Sequence, residues 1–427
     1  MQWKGYPIKE AMLELEKIQA ETAIDSHRNQ QYAWQIFQFH LDHNAWYAQW
    51  IDNKKLSTWN DIPVLTKADM QVDMSERLTY GYHRKNTHVH NTSGSTGTPF
   101  FFSKDKFCHA MSWALIHNRF GWHGIEIGRD LQARFYGIPL NPWKYRMEQI
   151  KDRIATRVRF PVFDLSDSVL AGYVKRFKNK PFRYVNGYTS SLVLMARYCL
   201  RNQIVMKEIC PTLQAVFTTS EVCDDIDRRL IASGFGVKVV NEYGAAELDL
   251  IGFEDADGNF LLSNETVMVE VVDENNLPVP DGVVGRVLVT SLYNKSMPFI
   301  RYELGDRMVL TGKTKHGYKI IDRVEGRTND IAKLPSGKIS PGLTFYYISK
   351  SLLEGGGFMK EFIIKQKALH HFHFEYVADR EILPQEEENV RQAMNTYLEP
   401  GLKATFERLD KIQRTAAGKL KHFFSEL

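Results

Sequence analysis

Residues 91–99 read Asn-Thr-Ser-Gly-Ser-Thr-Gly-Thr-Pro; between Thr92 and Gly97, two glycines and four hydroxyls (Thr92, Ser93, Ser95, Thr96) fill six positions. A loop of this composition can turn backbone N–H groups inward and add hydroxyl donors, a set that suits a polyphosphate. It equally suits an ordinary surface turn. It is not a Walker A loop, because no lysine follows its second glycine. The one Gly-Lys-Thr of the chain, Gly312-Lys313-Thr314, has Arg307 where that motif needs its first glycine. Further along, NEYGAAE (241–247) reads by itself as a strand end, a turn and a charged helix start. RYELGD (301–306) places a carboxylate, Asp306, at the end of a strand; a lone Gly-Asp is also a common turn.

Read in order, TSGSTGTP, NEYGAAE, RYELGD, GRTND (326–330) and RTAAGKLK (414–421) form a collinear set. That set resembles the adenylate-forming superfamily of acyl-CoA synthetases, luciferases and peptide-synthetase adenylation domains. IPVLTKADM (62–70), FTTSEV (217–222), DENNLPVP (273–280) and MPFIRYELGD (297–306) narrow the likeness to phenylacetate–CoA ligases and CapK-type proteins. The resemblance covers the chain from about residue 60 to its end.

What the resemblance implies is activation of a carboxylate by MgATP to an acyl-adenylate, then transfer of the acyl group. Thr92, Ser93, Gly94, Ser95, Thr96 and Gly97 would hold the phosphates. The family usually has a lysine after the loop's last glycine; here Thr98 stands there, which removes one charge and keeps the backbone cradle. Asn241 would read the adenine edge and Tyr243 pack on the base, with Glu242 between them. Gly244 would allow close backbone approach, and Glu247 would serve Mg²⁺ through the phosphates. Ser220 and Glu221 would line the adenine side, Asp306 would take the ribose hydroxyls, and Arg327 would contact ribose or phosphate. Asn329 occupies the hinge position, and Lys419 would bridge the carboxylate and the α-phosphate during adenylation. Phe135, Tyr136, Gly137, Gly187 and Tyr188 are expected in the acid pocket, although aromatics in strands are more often core.

CoA is the expected acceptor of the acyl group. Alternatives are an amine of a sugar or peptide, or a carrier protein, with a small carboxylic or amino acid as substrate. A non-catalytic nucleotide-binding scaffold is the rival from another class; the presence of Glu247, Asp306, Arg327 and Lys419 together speaks against it.

These residues require positioning elements. The expected fold is α/β, in a large N-terminal domain (1–326) with parallel-type sheets. That domain divides into a helical start (1–60), an α/β body (61–260) and a small antiparallel subdomain (261–326). A hinge at 327–331 and a small mobile α+β C-terminal domain (332–427) complete the chain. The basis is periodicity: Ile8, Ala11, Met12, Leu15 and Ile18 recur at helical spacing, and Thr66 could cap a helix after Pro63. Short β-branched runs then alternate with helical stretches up to about 260, and strands separated by turns succeed one another after it.

At 427 residues, 43% hydrophobic and 25% charged, the chain has the makings of a substantial core. A net charge of +4 argues only weakly for nucleic acid. Cys108, Cys199, Cys210 and Cys223 form no C-x-x-C pair, so no structural zinc is expected. His371, His373 and Glu375 in LHHFHFEY should share one strand face opposite Phe372, Phe374 and Tyr376, as a half-exposed sheet requires without any metal. Segment 141–160 is basic and aromatic and could be read as an RNA- or membrane-binding helix; its Glu148 and Asp152 dilute the charge, and a surface helix is expected first. No run has the length of a membrane span, and a cytoplasmic protein, with a homodimer left open, is the expectation.

Overall fold

A computed structural model describes residues 5–20, 26–51, 56–70, 72–92, 100–136, 142–162, 165, 167–327, 331–337, 339–341, 348, 359–412 and 423–427. The chain divides into two compact units, Met1–Leu304 with Met308–Val324, and Gly305–Arg307 with Glu325–Leu427.

The first unit opens with helices α1 (Ile8–Ala20), α2 (Ser26–His43), α3 (Ala45–Ile51) and the single turn α4 (Met74–Arg77). Ala11, Leu15 and Ile18 of α1 are buried, as their spacing predicts. The expected helix after Thr66 is instead a turn. Thr66 and Asp69 do exchange reciprocal capping bonds, with Thr66 N donating to the Asp69 carboxylate at 2.7 Å. However, Leu65 is bridged to Tyr302 beside that turn, which holds the segment extended just before it.

A hairpin of β1 (His88–Thr92) and β2 (Phe100–Lys104) leads into α5 (Lys106–Gly121). Asp105 caps α5, its carboxylate accepting from the Phe107 and Cys108 N–H groups at 2.9 Å each. Then strands and helices alternate: β3 (Gln132–Phe135), α6 (Pro142–Ile154), β4 (Arg157–Phe160), α7 (Asp167–Lys178), β5 (Tyr184–Tyr188), α8 (Thr189–Arg201), α9 (Met206–Ile209), β6 (Ala215–Thr219), α10 (Asp225–Phe235) and β7 (Lys238–Ala245). Strands β4, β3, β5, β6 and β7 lie side by side in that order, all parallel. Val185, Val216 and Val239 face a core with α7, α8 and α10, while Tyr184, Ala215, Phe217 and Val240 face another with α1 and α5. Burial on both faces explains why these strands read as apolar runs rather than as alternation.

The sheet continues through β8 (Asp249–Glu254) and β9 (Phe260–Leu262), then β13 (Tyr318–Arg327), β12 (Tyr302–Lys315), β11 (Gly285–Ser291) and β10 (Val267–Val272). The antiparallel region thus extends the same sheet order.

The second unit contains a short pair, β14 (Ile331–Lys333) and β15 (Ile339–Pro341), and the hairpin β16 (Met359–Ala368) and β17 (His371–Ala378). After β17 come α11 (Pro384–Tyr397), β18 (Lys403–Arg408) and β19 (Phe423–Ser425). The last two strands flank the hairpin in parallel, β18 against β17 and β19 against β16. Phe372, Phe374, Tyr376 and Ala378 point into its core, which also takes Val390 and Met394 of α11.

Candidate active site

The site residues of the first unit gather where the parallel strands end. Register places Phe135, Gly187, Thr218 and Asn241 at one level across β3, β5, β6 and β7. The next residue of each strand stands at the carboxyl edge of the sheet, where open α/β sheets bind ligands. Tyr136 and Tyr188 meet there with ring centroids 4.6 Å apart, and the Arg134 guanidinium lies 4.1 Å from the Tyr136 ring. Burial pushes the Tyr136 hydroxyl up to about 12, so it stays protonated as a donor. Phe135 itself is turned into the core, stacked on Phe160 at 4.9 Å. Gly187 is required by that packing, because a Cβ there would meet Phe135 Cβ at 2.6 Å.

At the end of β6, Thr218 donates to the Asn241 side-chain oxygen and Thr219 to the Glu242 carboxylate, both at 2.8 Å. The first bond fixes the Asn241 amide; its nitrogen points toward the Cys223 carbonyl at 3.5 Å. Burial raises the Glu242 carboxyl above its usual range, against the pull of the Thr219 hydroxyl and Arg134. Ser220 is exposed and adopts φ +69°, a left-handed conformation uncommon for serine. That bend delivers Glu221 to the start of α8, where its carboxylate accepts from Ser190 N at 2.7 Å and Ser190 Oγ at 3.1 Å.

The NEYGAAE segment ends in a tightly held turn. Tyr243 pairs with Gly252, and a register shift separates Tyr243 from Gly244. A Cβ on Gly244 would sit 2.3 Å from the Asp249 carbonyl oxygen, so only glycine fits. Asp249 has φ +59°. Lys104, buried at 2% exposure, donates to the Ala246 carbonyl at 2.9 Å and pairs with the Asp249 carboxylate, which also accepts from Ser112. Between these anchors Glu247 is buried, and the Tyr302 hydroxyl donates to its Oε1 at 3.2 Å. Lys104 and Ser112 were not legible as supports of this turn, since each reaches it only through the fold; Asp249 lies two residues past NEYGAAE and Tyr302 within RYELGD, but their roles here show only in the structure.

In the second unit, Asp306 is half-buried on β12 after Gly305, whose φ is +76°. Arg327 is the last residue of β13. Thr92 ends β1 opposite Phe100. Ser93, Gly94, Ser95, Thr96 and Gly97 lie outside the described residues, as do Gly137, Asn329 and Lys419.

On the outer face of β17, Thr405 Oγ1 lies 2.9 Å from both His371 Nε2 and His373 Nδ1, and Glu407 is 3.0 Å from His373 Nε2. Lys365 pairs with Glu375. His373, Glu375 and Glu407 bring three potential ligand atoms within 4.8 Å of one another, but each already has a hydrogen-bonding partner.

No family model matches the chain. Among curated proteins, CapK of Staphylococcus aureus is 25% identical over 283 residues, spanning 64% of this chain and 59% of CapK. Phenylacetate-coenzyme A ligase of Thermus thermophilus is 32% identical over 116 residues, 24% of this chain and 25% of that enzyme. Among solved structures, 2-hydroxyisobutyryl-CoA ligase in complex with 2-HIB-AMP in the postadenylation state superposes with a TM-score of 0.69 at 18% identity. The match covers 95% of this chain and 91% of the ligase. The chain has the adenylate-forming ligase fold. In sequence it stands beside CapK and the phenylacetate–CoA ligases, although the matched region is less than two thirds of the length of either relative.

Proposed function

We propose that this protein is an AMP-forming ligase that activates a carboxylic acid with MgATP and passes the acyl group to CoA. The observation that carries the reading is the carboxyl edge of β3, β5, β6 and β7. There a fixed amide (Asn241), two carboxylates (Glu221, Glu242) and a Tyr136–Tyr188 pair meet beside a turn that immobilises Glu247. The 2-hydroxyisobutyryl-CoA ligase is also known in complex with 2-HIB-AMP and CoA, which supports CoA as acceptor.

In the first step a carboxylate oxygen attacks the α-phosphorus, the bond from that phosphorus to the bridging oxygen breaks, and pyrophosphate leaves. In the second, the CoA thiol loses its proton, its sulfur attacks the acyl carbon and AMP departs. Asn241, its amide fixed by Thr218, holds the adenine edge, with Ser220 and Glu221 beside it; Tyr243 lies against the base, and Glu242 stands between them, held by Thr219. Asp306 and Arg327 take the ribose and phosphates, and Thr92 with Ser93–Gly97 cradles the phosphates. Lys419 neutralises charge growing at the α-phosphate, and 327–331, with Asn329, is the hinge that lets its domain move between steps. Tyr136, Gly187 and Tyr188 bound the acid pocket. Glu247 fits Mg²⁺: it is a single carboxylate oriented by Tyr302, and phosphates would complete an oxygen shell. The ion would supply charge neutralisation on the phosphates.

The test is acid-dependent ATP–pyrophosphate exchange over a panel of carboxylic and amino acids, with and without CoA. Exchange with at least one acid, and a thioester only when CoA is added, are the expected results. Exchange without thioester would assign the acceptor to an amine or a carrier protein. No exchange with any acid would leave the nucleotide-binding scaffold as the better account.

A further inference from the structure

Helix α6 carries an apolar stripe that the core does not use. Trp143, Met147, Ile150 and Ile154 are 78%, 50%, 51% and 78% exposed. At ~100° per residue these four positions fall within an arc of roughly 60°. Cations border the stripe: Arg146 and Arg153, both exposed, on one flank, and Lys151 on the other, where it pairs with Glu148 at 2.6 Å. Both carboxylates of the helix lie on the opposite side, tied to the strand beneath. Asp152 is buried and accepts from Arg157 and from Arg159, the latter at 2.9 Å, while Glu148 accepts from Arg159 at 2.9 Å. Thus Asp152 is spent on the strand beneath, Glu148 is shared between Arg159 and Lys151, and Arg146 with Arg153 keeps one edge of the exposed face basic. That face is apolar along its middle and basic along the Arg146–Arg153 edge.

We propose that the outward face of α6 is an interfacial helix that seats this protein on an anionic lipid surface. A tryptophan-bearing apolar stripe beside arginines is what the headgroup boundary accommodates: apolar side chains sink about 5–10 Å while the cations meet lipid phosphates. Each basic residue near such a surface adds ~1 kcal/mol, about fivefold in affinity. A second copy of the chain fits the face less well. A helix of 13 residues is ~20 Å long and offers a few hundred Å² of apolar surface per copy, whereas a standard interface buries about 800 Å² per partner. In an antiparallel two-fold contact Arg146 and Arg153 would also meet their own copies, with Asp152 turned away and already paired. RNA would use the cations and leave the stripe in water. The helix contains none of the residues assigned above to the active site, so the inference stands apart from the ligase reading.

Vesicle sedimentation of the full chain tests it, comparing phosphatidylcholine containing phosphatidylglycerol with phosphatidylcholine alone. Binding only to the anionic vesicles, weakened by added salt, is expected. The double variant Ile150→Glu with Ile154→Glu should abolish binding without changing the melting temperature, since both side chains are exposed. Arg146→Ala and Arg153→Ala should each weaken binding about fivefold. Absence of binding to anionic vesicles, or binding that survives Ile150→Glu with Ile154→Glu, would overturn the proposal. So would sedimentation equilibrium showing a lipid-free dimer that the same double variant dissolves, which would assign the face to a second copy.

Discussion

Glu247 illustrates how much of a site residue's chemistry belongs to its supports. Its carboxylate is oriented by Tyr302, and its main chain is pinned by Lys104 at Ala246 and by the Asp249 bend. If Glu247 serves Mg²⁺ and Lys104 only positions it, the two variants should differ in kind. Glu247→Gln should lower pyrophosphate exchange by about 10–100-fold, the range for disturbing a metal's surroundings, and raising Mg²⁺ should restore part of the loss. Lys104→Met should lower exchange with no recovery at high Mg²⁺, because the turn itself has moved. Exchange measured as a function of Mg²⁺ separates the two; identical Mg²⁺ dependence would refute the division of roles.

At the scale of elements, a buried ion pair stitches the first unit together. The Arg119 guanidinium on α5 donates to Glu265 Oε2 at 2.6 Å, and both residues are fully buried. Gln19 of α1 and Tyr318 of β13 donate to Oε1 at 2.9 and 2.6 Å. Burial raises the Glu265 carboxyl, and Arg119 with these donors outweighs it, leaving the group below its usual range. Its contribution is therefore present above the unfolded carboxylate range and lost as pH falls through the depressed folded value. Glu265→Gln should cost about 3–5 kcal/mol in denaturant unfolding at neutral pH, because Arg119 would stay buried without its counter-charge. A loss below 1 kcal/mol would show that the arginine finds another partner.

This pair also marks the limit of what was legible. The strands β5, β6 and β7 announce themselves as apolar and β-branched runs, and β17 as an alternation of rings with polar residues, because period and composition are local. Arg119 and Glu265 are 146 residues apart, and neither sequence context hints at the other. The same holds for Lys104 with Asp249. Thr66 misled in the opposite direction: its capping bonds form as composition predicts, but only a turn follows them. A motif is legible because its residues stand close together in the chain, whereas the side chains that hold it can be supplied from anywhere in the fold.

Across the whole molecule, acid should act through buried histidine. His40 lies in the interior, its Nε2 2.9 Å from the Asn294 carbonyl and its Nδ1 3.2 Å from Thr79 Oγ1. Burial pushes it down to about 4, in spite of the carbonyl bond. The unfolded chain takes up this proton near pH 6.5 and the folded chain does not, so stability falls as pH drops from about 6.5 toward 4. Thermal unfolding should show that loss, and it should be smaller in His40→Gln, which has no proton to gain. An unchanged pH profile in the variant would place the acid sensitivity elsewhere.

Adenylate formation is defined by which atoms exchange partners, and isotope transfer reads that directly. With the acid selected by the exchange screen labelled by ¹⁸O in its carboxylate, one turnover with ATP and acceptor should leave a single ¹⁸O in the phosphate of AMP. That oxygen forms the bond to the α-phosphorus and stays behind when the acyl group leaves. Label found instead in orthophosphate would mean attack on the γ-phosphorus and an acyl phosphate, and would contradict an adenylate-forming reaction.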